Sequence, residues 1–284
     1  MEDQHLDPTE LRSIAEGLAS EAAAFVQRRR EEVFAGEPLR EPGGDAVRAK
    51  STPTDPVTIV DTETERLLRD RLAELRPGER VLGEEGGGRS DESAGRPTWV
   101  LDPIDGTVNF VYGLPAYSVS VAVQVDGQSI AGAVAHVVDG AVYSAALGHG
   151  AYVRRGATTV PLQVSPTDAL SMSLVGTGFG YDPQLRRRQA SVLAKLLPQI
   201  RDIRRLGSAA LDLCLVAAGH LDAYFEENLN VWDWAAGALI AAEAGALVRV
   251  PPMGGASDGR GLVVAAAPGV SDAFTAALTA ADDA

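Results

Sequence analysis

The stretch WVLDPIDGTVNF, residues 99–110, is the most informative segment of this chain for its fold and its site. It begins as an apolar, strand-like segment and then places two carboxylates, Asp102 and Asp105, three residues apart. Because a proline ring fixes φ and removes an N–H, we expect Pro103 to end the strand in a turn. That turn would swing Asp105 back towards Asp102, so that both carboxylates reach one pair of cations. The stretch therefore predicts a site for divalent metal ions at the end of a strand.

The two residues after Asp105 add a place for an anion. Gly106 allows the backbone to come close to a ligand, and its amide and that of Thr107 open a short predicted helix. Amides in that position can donate to a phosphate group. An isolated D-P-x-D motif has a simpler alternative, in which Asp102 and Asp105 make only turn and cap hydrogen bonds. Three other segments of the chain favour the metal site.

The composition limits the classes of partner. The chain has 284 residues, of which 45% are hydrophobic, and this is enough for one large domain or two tightly joined halves. With 25 basic and 39 acidic residues the net charge is −14, which disfavours direct binding to nucleic acid or to a membrane. A phosphorylated substrate is also an anion, so bound metal ions are the expected source of positive charge at the site.

Three features of the sequence predict a cytoplasmic location. Cys214 is the one cysteine, so no intrachain disulfide can form. The polar, acidic first ten residues do not resemble a signal peptide. The longest apolar runs are too short to span a membrane. We therefore expect a cytoplasmic protein that contacts neither membrane nor nucleic acid.

The spacing of apolar residues predicts helices first and then a sheet. Apolar residues recur at helical spacing over residues 8–34 and 61–75, and they alternate as in strands over residues 117–153. Asp126-Gly127 and Asp139-Gly140 are strong hairpin signals within the alternating region. This region therefore predicts an antiparallel meander.

Helices and strands alternate after residue 156. The predicted strands lie near residues 173–176, 202–204, 222–225 and 262–266, and the predicted helices at 183–197, 208–218, 231–244 and 271–281. Grouped elements followed by alternating ones predict a layered α/β (α+β) sandwich in two halves. The N-terminal half, 1–150, would carry most metal ligands, and the C-terminal half, 151–284, would supply Asp233 and the substrate pocket.

Further carboxylates stand at the ends of predicted elements. Glu84 follows a short strand, Asp233 opens an apolar helix between two tryptophans, and Asp61 opens the second predicted helix. Each has a simpler alternative, respectively a charged loop, an acid that complements the helix dipole, and an N-cap. With Asp102 and Asp105, the acids Glu84 and Asp233 form a set of hard oxygen ligands that suits Mg²⁺.

The chain resembles the inositol monophosphatase family of Mg²⁺-dependent, lithium-sensitive phosphatases, and within it the actinobacterial branch. The resemblance spans about residues 10–280. It rests on four matches in the right order: KSTPTDPVTIVD (50–61), GEE (83–85), WVLDPIDGTVNF (99–110) and LGSAALDLCLVAAGHLDAYFEENLNVWDWAAGALIAAEAGA (206–246). It implies an αβαβα sandwich of the inositol monophosphatase and fructose-1,6-bisphosphatase type, and a homodimer.

The resemblance also implies a set of metal ligands. A first ion would bind Glu84, Asp102 and the main-chain carbonyl of Ile104. A second ion would bind Asp102, Asp105 and Asp233. Glu84 would also help to hold a third, weaker ion. The implied cofactor is therefore two to three Mg²⁺ ions.

Catalytic and substrate-binding residues follow from the same resemblance. Asp61 and Thr107 would orient and deprotonate the attacking water, with help from the ion at Glu84. Glu226 would contact a sugar hydroxyl, and Lys50 would lie on a mobile loop near the metals. The residues implied in substrate binding are Asp105, Gly106, Thr107, Gly207, Ser208, Ala209 and Glu226.

The expected activity is hydrolysis of myo-inositol 1-phosphate by metal-activated water. None of the four histidines falls at a matched position and Cys214 is expected to be buried, which disfavours a His or Cys phosphatase. Two alternatives stay open. One is the same chemistry on histidinol phosphate, fructose 1,6-bisphosphate or a 3′-phosphonucleotide, and the other is a non-catalytic partner of the transcription machinery. Trp234 is expected either at a subunit contact or in the core.

Overall fold

Seven α-helices and fourteen strands occur in the described part of the chain. The computed structural model describes residues 6–34, 47–50, 56–88, 95–253 and 259–282. The helices are α1 (Pro8–Phe34), α2 (Ile59–Leu75), α3 (Thr107–Tyr112), α4 (Pro183–Leu196), α5 (Ala209–Ala217), α6 (Val231–Glu243) and α7 (Ser271–Asp282). The strands are β1 (Val47–Ala49), β2 (Pro56–Thr58), β3 (Arg80–Gly83), β4 (Pro97–Asp105), β5 (Ser118–Val125), β6 (Gln128–His136), β7 (Val142–Ala146), β8 (Ala151–Arg155), β9 (Thr158–Pro161), β10 (Leu174–Thr177), β11 (Asp202–Arg204), β12 (Ala223–Leu229), β13 (Leu247–Arg249) and β14 (Gly261–Ala266).

The larger sheet contains the predicted meander. Its strands lie in the order β3-β4-β5-β6-β7-β8-β9, and all neighbours are antiparallel except β3 and β4. At the first hairpin Asp126 and Gly127 have φ values of +50° and +78°, the left-handed pair that a tight two-residue turn requires. The meander is confirmed, and it extends beyond the predicted residues because β9 adds an edge strand.

The helices complete five layers around two sheets. The second sheet has the order β11-β10-β12-β14-β13. Helices α1 and α2 cover the outer face of the larger sheet, α5 and α6 fill the space between the sheets, and α4 and α7 cover the outer face of the smaller one. Along β5, Val119, Val121 and Val123 face α1 and α2, whereas Ala122 faces the central layer. The αβαβα sandwich is confirmed, and the division into halves at residue 150 stays a prediction.

Small side chains allow α6 to lie close to the larger sheet. A Cβ atom at Gly132 in β6 would lie 3.0 Å from the Cα atom of Ala236 in α6. Any larger residue at position 132 would therefore push the helix away from the sheet. The first turn of α6 carries Asp233, and α6 also contacts β4. Close packing of this helix thus brings Asp233 towards the carboxylates of β4.

The predicted turn at Pro103 is wrong, and a bulge takes its place. Strand β4 continues through Pro103 to Asp105. Asp102 pairs with Ser120 and Asp105 pairs with Ser118, so three residues of β4 span the same length as two of β5. Residues three apart on a regular strand point to opposite faces, and one extra residue reverses that relation. The bulge therefore does what the turn was expected to do and places both carboxylates on one face.

Two further differences concern Trp234 and the shortest strands. Trp234 is 2% exposed, and its indole N–H donates to the Gly259 carbonyl at 2.9 Å. Of the two alternatives for this residue, the core position is confirmed and the subunit contact is wrong, because its own chain already buries the ring. Strands β1, β2 and β13, of three residues each, were not predicted, whereas β11, of the same length, was predicted.

Among the helices that the structure describes, none combines the length and the apolar character needed to cross a bilayer. The cytoplasmic location and the homodimer stay predictions. Within the KSTPTDPVTIVD segment, residues 51–55 lie outside the described residues.

Candidate active site

Residues that are distant in sequence line one cavity of about 270 Å³. The predicted site residues that line it are Lys50, Glu84, Asp102, Ile104, Asp105, Gly106, Thr107, Gly207, Ala209, Glu226 and Asp233. Asp61 and Ser208 lie behind the wall of the cavity. Asp61 accepts a hydrogen bond from the Thr107 hydroxyl at 3.1 Å, and Ser208 donates to Asp105 at 2.5 Å. The structure thus brings the whole predicted set together.

Asp61 is the third residue of α2 and forms part of a capping box. The N-cap of α2 is Thr58, three residues before Asp61. The alternative in which Asp61 itself is the N-cap is therefore wrong. The Asp61 Oδ2 atom accepts the Thr58 amide at 2.9 Å and the Thr58 hydroxyl, which leaves Oδ1 to accept from Thr107. Burial raises the pKa of Asp61 to about 6, although the bonds from Thr58 oppose that shift. At neutral pH this carboxylate is therefore a charged proton acceptor.

Asp105 joins the end of β4 to the beginning of α5. Its Oδ2 atom accepts the Ser208 hydroxyl and the Ala210 amide at 2.7 Å, and its Oδ1 atom accepts the Ala209 amide at 3.3 Å. Burial raises the pKa of Asp105 to about 6, while these hydrogen bonds favour its charged form. The positive end of α5 thus fixes the orientation of the carboxylate.

Asp102 and Asp233 are held in the cavity by their own backbone neighbours. Asp102 is 1% exposed and accepts the Ile104 amide at 3.1 Å. Asp233 completes a capping box on α6 and accepts a hydrogen bond from the Asn230 amide at 2.7 Å. It therefore also fits the simpler alternative, in which an acid in the first turn complements the helix dipole. Burial, followed by the neighbouring carboxylates, raises the pKa of both groups well above the usual range.

Lys50 lies in direct contact with the acidic residues of the cavity. Its Nζ atom lies 2.9 Å from Glu84 Oε1 and 2.5 Å from Glu85 Oε1. Burial raises the pKa of Glu84 to about 7, and the charge of Lys50 opposes that shift. Arg205 and Arg260 also line the cavity, and the sequence pattern did not single out either of them. Isolated arginines carry no motif signal, and only the fold shows where they lie.

Divalent cations fit this donor set. No three acidic, imidazole or thiol side chains of the described residues already converge as a complete metal cage. However, Glu84, Asp102, Asp105 and Asp233 all border the same cavity, and they repel one another there. Buried carboxylates in that number need positive charge, and hard oxygen donors prefer cations such as Mg²⁺.

Glu65 is a buried residue that the sequence analysis did not place in the site. It is 2% exposed, and its carboxylate accepts the amides of Glu85 at 2.7 Å and Gly86 at 2.8 Å. A Cβ atom at Gly83 would lie only 2.4 Å from the same carboxylate, and one at Gly86 would lie 2.6 Å away. The glycines around Glu84-Glu85 therefore make room for Glu65, which anchors the turn that presents Glu84.

Replacing Glu65 with glutamine should weaken the anchoring of Glu84 without removing any residue that lines the cavity. A neutral amide accepts the two backbone N–H groups less strongly than a carboxylate. We expect about a tenfold loss in kcat/KM and a weaker apparent affinity for Mg²⁺, as is typical of residues that support metal ligands. Phosphate release over a Mg²⁺ titration measures both. The control is Glu63→Gln on the same helix, because Glu63 pairs with Arg29 at 2.8 Å instead. Equal behaviour of the two variants would contradict the anchoring role.

Asp212 is a second buried acid that the helical pattern concealed. It lies in α5, is 1% exposed, and neither of its oxygens has a hydrogen-bond partner within the described residues. Burial, together with the charges of Glu226 and Asp105, raises the pKa of Asp212 well above the usual range. Because the folded-state pKa exceeds the unfolded one, folding takes up a proton. Stability is therefore lost as pH rises from about 4, the unfolded pKa, towards the higher folded value.

The variant Asp212→Asn should be more stable than the natural chain at pH 7.5. The amide has the shape of the acid but carries no charge to bury, and we expect a gain of about 1–2 kcal/mol. A protein of this size would then melt about 2–6 °C higher. The difference in Tm between the two chains should shrink as the pH falls to 4. A constant difference from pH 4 to pH 7.5 would show that Asp212 does not titrate as described.

Comparison with known proteins identifies the family. The model of the inositol monophosphatase family matches residues 7–282. The inositol-1-monophosphatase of Mycobacterium leprae is 66% identical over 275 residues, which cover 96% of this chain and 94% of that protein. The solved structure of Mycobacterium tuberculosis SuhB is 55% identical, has a TM-score of 0.82 and is matched over 98% of both chains. The Nus factor SuhB of Pasteurella multocida is 38% identical over 200 residues, 70% of this chain and 73% of that protein. Because the family model spans nearly its whole length, this chain belongs to the inositol monophosphatase family.

Proposed function

We propose that this cavity hydrolyses the phosphate monoester of a small polyol, with myo-inositol 1-phosphate as the preferred substrate. The observation that carries the proposal is the meeting of four carboxylates, the Gly106-Thr107 backbone and Glu226 in one cavity. Carboxylates supply oxygen ligands for cations, backbone amides supply donors for a phosphate, and Glu226 supplies an acceptor for a hydroxyl. The family match and the name of the Mycobacterium leprae relative support the same substrate class.

The metal ligands proposed for this chain are Glu84, Asp102, the carbonyl of Ile104, Asp105 and Asp233. When bound, two or three Mg²⁺ ions would neutralise the phosphate charge and make a water molecule more acidic. The Thr107 hydroxyl shares its one proton between Asp61 Oδ1 and the Ile104 carbonyl, which lies 3.0 Å away, and a carbonyl oxygen has a second lone pair for another partner. The bonds from Ala209 and Ala210 hold Asp105 in one orientation before any ligand arrives.

Thr107 and Asp61 form the proton path that we propose for the attacking water. The Thr107 hydroxyl lines the cavity and points its oxygen within 3.1 Å of Asp61 Oδ1. As the water attacks phosphorus, Thr107 Oγ1 would take the water proton and pass its own proton to Asp61. Asp61 is suited to receive that proton because its pKa is raised to about 6. Its second oxygen stays fixed by Thr58, so the acceptor does not need to reorient.

Glu226 would recognise a hydroxyl of the polyol. Its Oε2 atom accepts the Tyr224 hydroxyl at 2.7 Å, which leaves Oε1 for a substrate. A Cβ atom at Gly178 would lie 1.9 Å from Glu226 Oε2, so only glycine leaves room for this side chain. Burial raises the pKa of Glu226 to about 7, with the Tyr224 bond opposing the shift. An acceptor held in this way suits a neutral hydroxyl better than a second phosphate.

Phosphate release from a small panel of esters tests the proposed function. The panel contains myo-inositol 1-phosphate, glycerol 2-phosphate, histidinol phosphate, fructose 1,6-bisphosphate and a 3′-phosphonucleotide, each with Mg²⁺, with EDTA and with added Li⁺. We expect Mg²⁺-dependent, Li⁺-inhibited release that is fastest with inositol 1-phosphate. Faster release from another ester would keep the chemistry and change the substrate. No release from any ester would contradict the proposal.

A regulatory role is a second candidate. Two proteins that are 38% identical to this chain, from Pasteurella multocida and from Haemophilus influenzae, are named Nus factor SuhB. Such a role would not need the cavity carboxylates. In the source organism, the variant Asp102→Asn should separate the two functions, since it removes a ligand without changing the surface of the protein. A deletion phenotype that this variant rescues fully would come from regulation rather than from catalysis.

A further inference from the structure

A second cavity of about 200 Å³ lies on the other side of the smaller sheet from the central helices. Residues of α4, α7, β10, β12 and β14 line it, and most of its interior is apolar: Phe179, Val192, Phe225, Leu262, Val264 and Leu278. Phe179 and Glu227 border both this cavity and the catalytic one. An occupant would therefore touch two residues that also line the catalytic cavity, while remaining separate from the acidic cluster.

One polar group inside this cavity lacks a partner. Gln189 is 8% exposed, and its Oε1 atom accepts the Gly180 amide at 3.1 Å. That bond fixes the orientation of the amide and leaves Nε2 buried, with no acceptor among the described residues. A buried donor without an acceptor costs about 1–3 kcal/mol. A ligand that brings an oxygen atom to Nε2 would remove this cost.

The rim of the cavity is positively charged. Arg249 is exposed and donates to the Thr275 hydroxyl at 2.5 Å, but it forms no ion pair with any acid in the described part of the chain. Arg188 stands on the same rim and is 3.1 Å from Glu227. In a chain with a net charge of −14, an arginine at the mouth of an apolar cavity supplies local positive charge. It suits an anionic group whose apolar part enters the cavity.

We infer that this cavity binds a small amphipathic carboxylate. Its ring or branched apolar body would fill the space between α4 and α7, an oxygen on that body would accept from Gln189 Nε2, and its carboxylate would pair with Arg249. The cavity is large enough for a single aromatic ring with short substituents, whereas a helix of another protein would not fit inside it. This inference does not depend on the proposed phosphatase activity.

The test uses 4-acetylbenzoate, which has a ring, a ketone oxygen and a carboxylate. Its binding is measured by saturation-transfer difference NMR on the full chain. The buffer contains EDTA, which removes divalent cations, so that the carboxylates of the catalytic cavity repel anions. The neutral control is 4-acetylbenzamide, which has nearly the same shape. We expect the carboxylate to bind with a Kd at least about tenfold lower than the amide, since one charge-assisted bond is worth that factor.

Variants locate the binding in this cavity. Arg249→Gln should weaken binding of the carboxylate about tenfold, whereas Arg201→Gln, at an exposed arginine outside this cavity, should leave it unchanged. Val192→Trp should block binding by filling the cavity, and circular dichroism shows whether that variant is folded. Equal binding of acid and amide, or no effect of Arg249→Gln, would overturn the inference. The inference would also be overturned if neither probe bound. It would likewise be overturned if Val192→Trp changed the molar mass measured by sedimentation, since that change would show that the cavity forms a contact between two chains.

Discussion

Replacing Asp102 with asparagine should lower phosphate release by about 10³-fold or more and should also raise the melting temperature of the metal-free protein. Both effects have the same origin. Asp102 is 1% exposed, and the charges of Glu84, Asp105 and Asp233 all oppose its ionisation. The asparagine keeps the volume and the bond from the Ile104 amide but removes one of the repelling charges. The site would then lose the ligand that both principal ions are proposed to share.

The measurements are phosphate release from inositol 1-phosphate and Tm in EDTA and in Mg²⁺. The natural chain should gain stability on adding Mg²⁺, because a ligand that binds only the folded state stabilises it. Asp102→Asn should begin from a higher Tm in EDTA, by about 2–6 °C, and should gain little from Mg²⁺. The control is Asp202→Asn, an exposed acid that pairs with Arg204 at the surface. If Asp102→Asn retained more than a tenth of the activity, the assignment of this ligand would be wrong.

Removing the hydroxyl of Thr107 should slow turnover by about 10²–10³-fold, mainly through kcat. Valine has the shape of threonine, so Thr107→Val preserves the first turn of α3 while it deletes the link to Asp61. The hydroxyl lies 3.1 Å from Asp61 Oδ1 and 3.0 Å from the Ile104 carbonyl. Without it, the water proton has no path to the buried carboxylate.

Thr107→Ser is the matched control for this prediction. Serine keeps the hydroxyl and loses only a methyl group, so we expect its kcat to stay within about tenfold of the natural chain. KM should change little in either variant, because the main-chain amides that are proposed to hold the phosphate remain. Similar kcat values for the valine and serine variants would contradict the proton path.

The sequence predicted most of the elements because the apolar spacing and the Asp-Gly turns are local signals. It also predicted which carboxylates share the site, since each stands at the end of an element and the fold joins those ends. The sequence did not predict the bulge in β4, because the bulge depends on how Asp102 and Asp105 pair with Ser120 and Ser118 of the neighbouring strand. Pro103 was expected to break the strand, and the bulge accommodates it instead.

Residues that act from behind the site could not be predicted. Glu65 follows Asp61 by one helical turn and has the sequence context of a solvent-exposed acid. Only the structure shows that it is buried and bonded to the amides of Glu85 and Gly86. Asp212 lies in an apolar helix, where a single acid carries no motif. Trp234 offered two interpretations, and its burial by its own chain decided between them.

We propose that buried carboxylates make this cavity a divalent-metal phosphatase site. The most direct test of this claim is phosphate release from myo-inositol 1-phosphate by chelator-stripped protein as Mg²⁺ is added back. We expect no release above background without Mg²⁺ and a saturable rise with it, which Asp102→Asn abolishes. Release that is unaffected by chelation would contradict the claim, and so would a natural chain that stays inactive at saturating Mg²⁺.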